Sequence, residues 1–214
     1  MSPGMTGATQ KDSLTEPFRL PLSCEPALLE RFLKAEAMAL WAVRSSQLQN
    51  VPSNVRLFLQ RHEEDEQRHL EQFETILGHH AHERGQLPSV PRQWSALAVQ
   101  LFGYEALGLE FALLLADVRP DLSSILEDEL THVEFFEREI RKILSGEQTD
   151  AEQARTSARA WWRKLPRTLD RYLEHSALEP NSPELTRKIL SALECRLIGA
   201  GLLGQSRNSH NNVG

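Results

Sequence analysis

Cysteine is almost absent from the chain. There are 2 in 214 residues, Cys24 and Cys195, far apart and in no CxxC or zinc spacing, so a cytosolic protein with free thiols is expected. The opening stretch, "MSPGMTGATQKDSLTEPF", lacks a basic start followed by an apolar run, and no secretory signal is expected. No stretch reaches about 18 uninterrupted apolar residues. The closest, 106–116, is broken by Glu110, so no membrane span is expected. Alternating apolar patterns and β-hairpin signals of useful length are also missing. An excess of positive charge is lacking too. The net charge of -6 gives no reason to expect nucleic acid or an anionic membrane as a partner, although Arg163, Lys164 and Arg167 form a local basic patch.

What the chain has is helical periodicity, in an ordinary globular composition of 40% hydrophobic and 25% charged residues that suits one domain with an appendage. Residues 1–25, rich in Ser, Thr, Gly and Pro, read as a disordered tail, as do 205–214. Four long helical patterns run from about Pro26 to Gln49, Asn54 to Gly78, Trp94 to Asp117, and Pro120 to Ser145. Ser53 is placed to cap the second, and Pro120 suits the first turn of the fourth. The third is apolar nearly all round and is expected at the centre. Two helical hairpins joined by a long connection predict an all-α fold, a four-helix bundle over residues 26–145. Two further segments, about Ala151–His175 and Pro183–Leu203, make residues 146–204 an extension that packs on the bundle or at an oligomer contact.

An internal repeat is the most informative feature. "EDEQRHLEQFE" (64–74) lies over "EDELTHVEFFE" (127–137), and "AEAMAL" (35–40) over "YEALGL" (104–109). Each hairpin then carries a Glu on its first helix, Glu36 or Glu105, and a Glu-x-x-His on its second, Glu66/His69 or Glu129/His132. Residues three apart share a helix face, and all six fall on the apolar stripes of their helices. Four carboxylates buried without compensation would cost several kcal/mol each. Either they stay protonated or cations meet them. Four carboxylates and two imidazoles match two divalent metals that accept oxygen and nitrogen donors.

This constellation resembles the ferritin-like di-iron carboxylate superfamily, whose pattern is one Glu from each of two helices and Glu-x-x-His from each of the other two. Asp65 and Asp128 match the family's "DExxH" form, and the resemblance implies that they orient ligating imidazoles. It further implies two iron ions as cofactors, with manganese–iron or di-manganese accepted by the same ligands. The implied activity is an oxidoreductase that uses dioxygen or peroxide on a small organic substrate. A ferroxidase or iron-handling protein is the other function within the family, and a metal-free helical interaction module is a third reading. The chain has no rubredoxin-like CxxC pair, so an external electron donor is expected; a homodimer fits the extension.

Glu110 rivals Glu105 as the third-helix ligand, because Glu36 and Glu66 are 30 apart and Glu105 and Glu129 only 24. The distance of each Glu from its predicted helix end, together with the repeat, favours Glu105. His62, one turn before Glu66, and Tyr104, beside Glu105, are expected as packing or support behind the ligands. The "HHAH" run, with His79, His80 and His82, is read as a solvated loop, and Trp161–Trp162 as the residues that bury the fifth helix.

Overall fold

A computed structural model describes residues 19–81 and 89–204, and among these the chain is all-helical. Six α-helices follow in order: α1 (Glu25–Gln47), α2 (Ser53–Leu77), α3 (Trp94–Ala116), α4 (Ser123–Ser145), α5 (Gln148–Tyr172) and α6 (Ser182–Gly199). Of the expected tail, residues 1–18 lie outside the described residues, as does 205–214. Residues 19–25 do not behave as a tail. Leu20 and Cys24 are buried, and Leu22–Cys24 forms a 3-10 turn that leads into α1.

Two helix starts differ from expectation. Ser53 is the first residue of α2 and makes no side-chain cap bond; Pro52, with ψ of 149°, holds the chain extended up to that point. Pro120 does not open α4 but a separate 3-10 turn, Pro120–Leu122, before Ser123. A 3-10 turn rises faster than an α-helix, about 2.0 Å per residue against 1.5. The shorter Glu105–Glu129 spacing lies in the start of the second helix of the hairpin: α4 begins at Ser123, closer to Glu129 than Ser53 of α2 is to Glu66, and the 3-10 turn recovers only about 1.5 Å of the difference. At its other end α2 stops on Gly78, whose φ of 74° is open to glycine, with its N–H bonded to the carbonyl of Glu74 at 2.9 Å.

The packing follows the apolar stripes. α1 packs on α2 and α3 on α4, while α1 also meets α3, and α2 meets α4. α3 is central: eighteen of its 23 residues are buried. It has the length and apolarity of a membrane span, but 83% of its most apolar window is covered by the other helices. α5 packs on α3 and α4, and α6 on α3 and α5, so the extension covers one side of the molecule only.

Trp161 docks α5 onto α3 at Gly103. A Cβ at that glycine would stand 2.5 Å from Trp161 Cε2, closer than atoms can approach. Gly103 thus gives up about 1 kcal/mol of helix propensity for a close helix contact. Gly103→Ala is expected to lower the melting temperature despite its better propensity, because overpacking costs about 1–3 kcal/mol. Trp161→Ala in that background should cost less than in the wild type. Additive costs in a double-mutant cycle followed by circular dichroism would show that the two residues do not interact.

Candidate metal centre

Glu36 and Glu105 stand at one level, eleven residues before the ends of α1 and α3 at Gln47 and Ala116. Each faces the middle of the core, 2% exposed. From the opposite side α2 brings His62, Glu66 and His69, and α4 brings Glu129 and His132, none more than 2% exposed. Their donor atoms fall into two overlapping groups, His62/Glu66/Glu105/His132 and Glu36/Glu66/His69/Glu129. Within each group the donor atoms lie within 4.8 Å of one another. All six residues expected as ligands are here, and Glu66 belongs to both groups.

Gly108 makes room for this. A Cβ there would lie 2.8 Å from Glu129 Oε2, so any larger residue would push the Glu129 carboxylate from its place. Glu110, the rival, is elsewhere: its Oε1 accepts from Arg196 of α6 at 3.2 and 3.3 Å. Burial raises its pKa, partly offset by that arginine. Tyr104 belongs to neither group; its hydroxyl accepts from Gln100 Nε2 at 3.0 Å.

Asp65 and Asp128 act crosswise between the hairpins. His132 Nε2 donates to Asp65 Oδ2 at 3.3 Å, and His69 Nε2 to Asp128 Oδ2 at 3.1 Å. Each imidazole therefore turns Nδ1 toward the cluster, and when the ring is neutral its carboxylate partner favours the proton on Nε2. Arg68 ties the two aspartates together, at 2.8 Å from Asp65 and 2.7 Å from Asp128. Arg68 and the charge of His132 hold Asp65 down to about 2, the hydrogen bond from His132 having the largest effect.

His62 lies within the first donor group. Its Nε2 lies 2.9 Å from Glu66 Oε1 and 3.1 Å from Glu105 Oε2. The repeat offset of 63 residues puts Ile125 at the equivalent place in the second hairpin, so His62 makes the two donor groups unequal. The sequence signal was the H-x-x-x-E spacing, which puts His62 on the face of Glu66 one turn earlier. Phe58 closes this side, stacked on Phe135 with ring centres 3.6 Å apart and set 5.5 Å from His62. On the other side Glu36, Glu105 and Glu129 border a cavity of about 180 Å³, rimmed by Thr168 and Tyr172 of α5. The "HHAH" residues stand apart: His79 pairs with Glu30 and His80 with Glu74, each at 2.7 Å, and His82 lies outside the described residues.

The donor set fits metal. Glu66 Oε2, Glu105 Oε1, Glu129 Oε2 and His132 Nδ1 are buried and make no hydrogen bond among the described residues, a costly state for any polar atom. Two divalent cations among four carboxylates would satisfy those atoms and balance the charge. Without metal, protons take that place. Burial and the neighbouring acids push Glu36 and Glu129 well above the ordinary carboxylate range. Burial alone would lower His62, but Glu105 and Glu66 outweigh it and raise it to about 10. Against burial and the charge of His62, Asp65 and Glu105 raise His132 to about 9. Glu105, despite burial, is held at about 2 by His62 and His132.

All four raised groups favour the metal-free fold at low pH. The contribution of the His62 and His132 ion pairs is complete below about pH 6.5 and is lost as pH rises through about 9 and 10. Bound cations must displace the same protons. The melting temperature of the chelated protein is thus expected to fall between about pH 6.5 and 10, and the gap between metal-loaded and chelated protein to widen. Calorimetry in buffers of different ionisation enthalpy should show proton release on metal uptake near neutral pH. A gap independent of pH and no released protons would contradict this protonation scheme.

In comparisons with known proteins the chain matches no family model, no curated protein and no solved structure.

Proposed function

We propose that this chain is a non-haem di-iron oxidoreductase of the ferritin-like kind, with α1–α4 as the four-helix bundle and two iron ions at its centre. The observation that carries this reading is the sharing of Glu66 between two buried donor groups, the arrangement two metal ions need if one carboxylate is to bridge them. Iron held there supplies the electrons that dioxygen or peroxide chemistry requires. Manganese–iron and di-manganese pairs suit the same donors.

The chain's own residues supply the rest. Glu36, Glu66, His69, Glu105, Glu129 and His132 would hold the cations, with His62 among the donors of the first group. Asp65 and Asp128 fix the imidazole tautomers. The Phe58–Phe135 stack keeps water from the histidine side, and the cavity beside Glu36, Glu105 and Glu129 admits a small organic substrate. That cavity favours an oxidoreductase over iron handling, because an iron-uptake path is served by polar walls and most of this lining is apolar. The two cysteines form no CxxC pair that could hold an electron-relay iron, so an external donor would deliver the electrons.

Anaerobic titration of the full chain with ferrous iron is expected to saturate at two ions per chain. Glu66→Ala should abolish binding of both, His132→Ala should lower the stoichiometry, and Glu110→Ala should leave it at two, with helical content retained throughout. On admission of oxygen, a coloured species whose decay depends on added substrate supports the enzyme. Mineral growth far beyond two irons per chain would replace it with iron handling, and no saturable iron would end both readings.

A further inference from the structure

The cavity beside the metal centre does not stand alone. Besides the three glutamates it is lined by Ala35, Met38 and Ala39 of α1, Tyr104, Leu107 and Gly108 of α3, and Thr168 and Tyr172 of α5. The same Thr168 and Tyr172 line a second hollow of about 210 Å³, whose remaining walls are Arg31, Lys34 and Arg171. Both hollows occupy the crevice between α1 and α5, which each pack on α3. Along α1 the lining residues follow helical spacing, Arg31 and Lys34 and then Ala35, Met38 and Ala39, so one face runs from basic to apolar toward Glu36. Along α5, Thr168, Arg171 and Tyr172 repeat that spacing from the other side.

The charge of the outer hollow is unusual for this chain. The protein carries a net -6, yet every charged residue lining this hollow is basic. Most arginines near the core are paired: Arg68 with Asp65 and Asp128, Arg119 with Glu25 and Asp121, Arg196 with Glu110. Among the described residues neither Arg31, Lys34 nor Arg171 is within ion-pair distance of a carboxylate. Arg31 donates from Nη2 to the backbone carbonyl of Glu174, and its Nε is buried with no hydrogen bond. Arg171 Nε reaches the Arg167 carbonyl at 3.4 Å. Three cations gathered without a counter-charge repel one another, and an anion placed among them removes that cost while satisfying Arg31 Nε.

From these two hollows we infer that the crevice binds an anionic amphiphile, its acid group held by Arg31, Lys34 and Arg171 and its apolar part lying in the inner chamber against the metal-facing carboxylates. The chamber's roughly 180 Å³ compares with the ~150 Å³ of a protein cavity that takes up benzene, so the apolar part is on the order of six to eight carbons. The ligand enters tail first. An acid group at the inner end would meet Glu36, Glu105 and Glu129, whereas a hydrocarbon end meets them without like-charge repulsion and presents its C–H bonds to the centre. That this ligand is the substrate rests on the di-iron reading above; that it binds does not.

Binding of octanoate to the full chain, chelated and iron-loaded, is the test, measured by isothermal titration calorimetry. One octanoate per chain is expected in both forms. Octan-1-ol should bind about tenfold more weakly, and octylamine, acetate and inorganic phosphate more weakly still. Arg31→Gln/Lys34→Gln should weaken octanoate at least about tenfold and leave octan-1-ol unchanged, and the exposed Arg171→Gln should act in the same direction. Ala39→Phe, which fills the chamber, should weaken both, with circular dichroism reporting an intact fold. Octanoate that does not saturate, that binds no better than octan-1-ol or phosphate, or that is indifferent to all three variants overturns the inference. Octanoate binding without iron stoichiometry would sink the di-iron reading alone, and two irons without octanoate binding would sink this inference alone.

Discussion

Four carboxylates and three imidazoles at the centre of an apolar core must be neutralised where they stand, and the surrounding structure answers to that demand. An ion moved from water into such an interior costs several kcal/mol even after relaxation, comparable with the whole stability of a domain of this size. Cations or protons have to meet the acids, and the protein is built so that either can. Burial and neighbouring charge raise Glu36, Glu129, His62 and His132 and so favour their protonated forms when no metal is present, and several oxygens of the cluster make no hydrogen bond among the described residues. At Gly108 the Glu129 carboxylate takes the volume that a methyl group would need.

The duplicated hairpin explains how so many polar groups reach one point. Each copy delivers one Glu from its first helix and a Glu-x-x-His from its second, and the two copies lock together through the Asp that precedes each motif. Asp65 serves the histidine of the second hairpin and Asp128 that of the first, with Arg68 joining them at the surface. The symmetry then breaks in two places. His62 stands where the other copy has Ile125, and α5 and α6 cover the α3–α4 side without a counterpart over α1 and α2. The first break makes the donor groups unequal. The second leaves the crevice between α1 and α5, with a basic mouth and an apolar interior.

The helices and their facing were legible because both follow from period and composition. Apolar residues three and four apart mark a buried stripe, and polar residues on that stripe, Glu36, Glu66, His69, Glu105, Glu129 and His132, are anomalies visible without coordinates. Local starts were harder. Ser53 and Pro120 carry the right chemistry for a cap and a first turn, but the extended backbone at Pro52 and the 3-10 turn before Ser123 were set by how the hairpins close. Leu20 and Cys24 looked like part of a polar tail because their burial depends on partners far along the chain, such as the Ala177 carbonyl 3.4 Å from Cys24 Sγ.

The sequence by itself determined an all-helical chain with a duplicated set of acids and histidines turned inward, because helical period and burial are local properties of the residues. Only the tertiary structure decided which of those groups meet. It set Glu105 level with Glu36 and sent Glu110 to Arg196, drew His62 into the donor group, and crossed each aspartate to the opposite histidine. It also placed Thr168 and Tyr172 at the rim of the chamber. Those are distances between residues tens of positions apart, and they depend on how helices stack rather than on what any one helix contains.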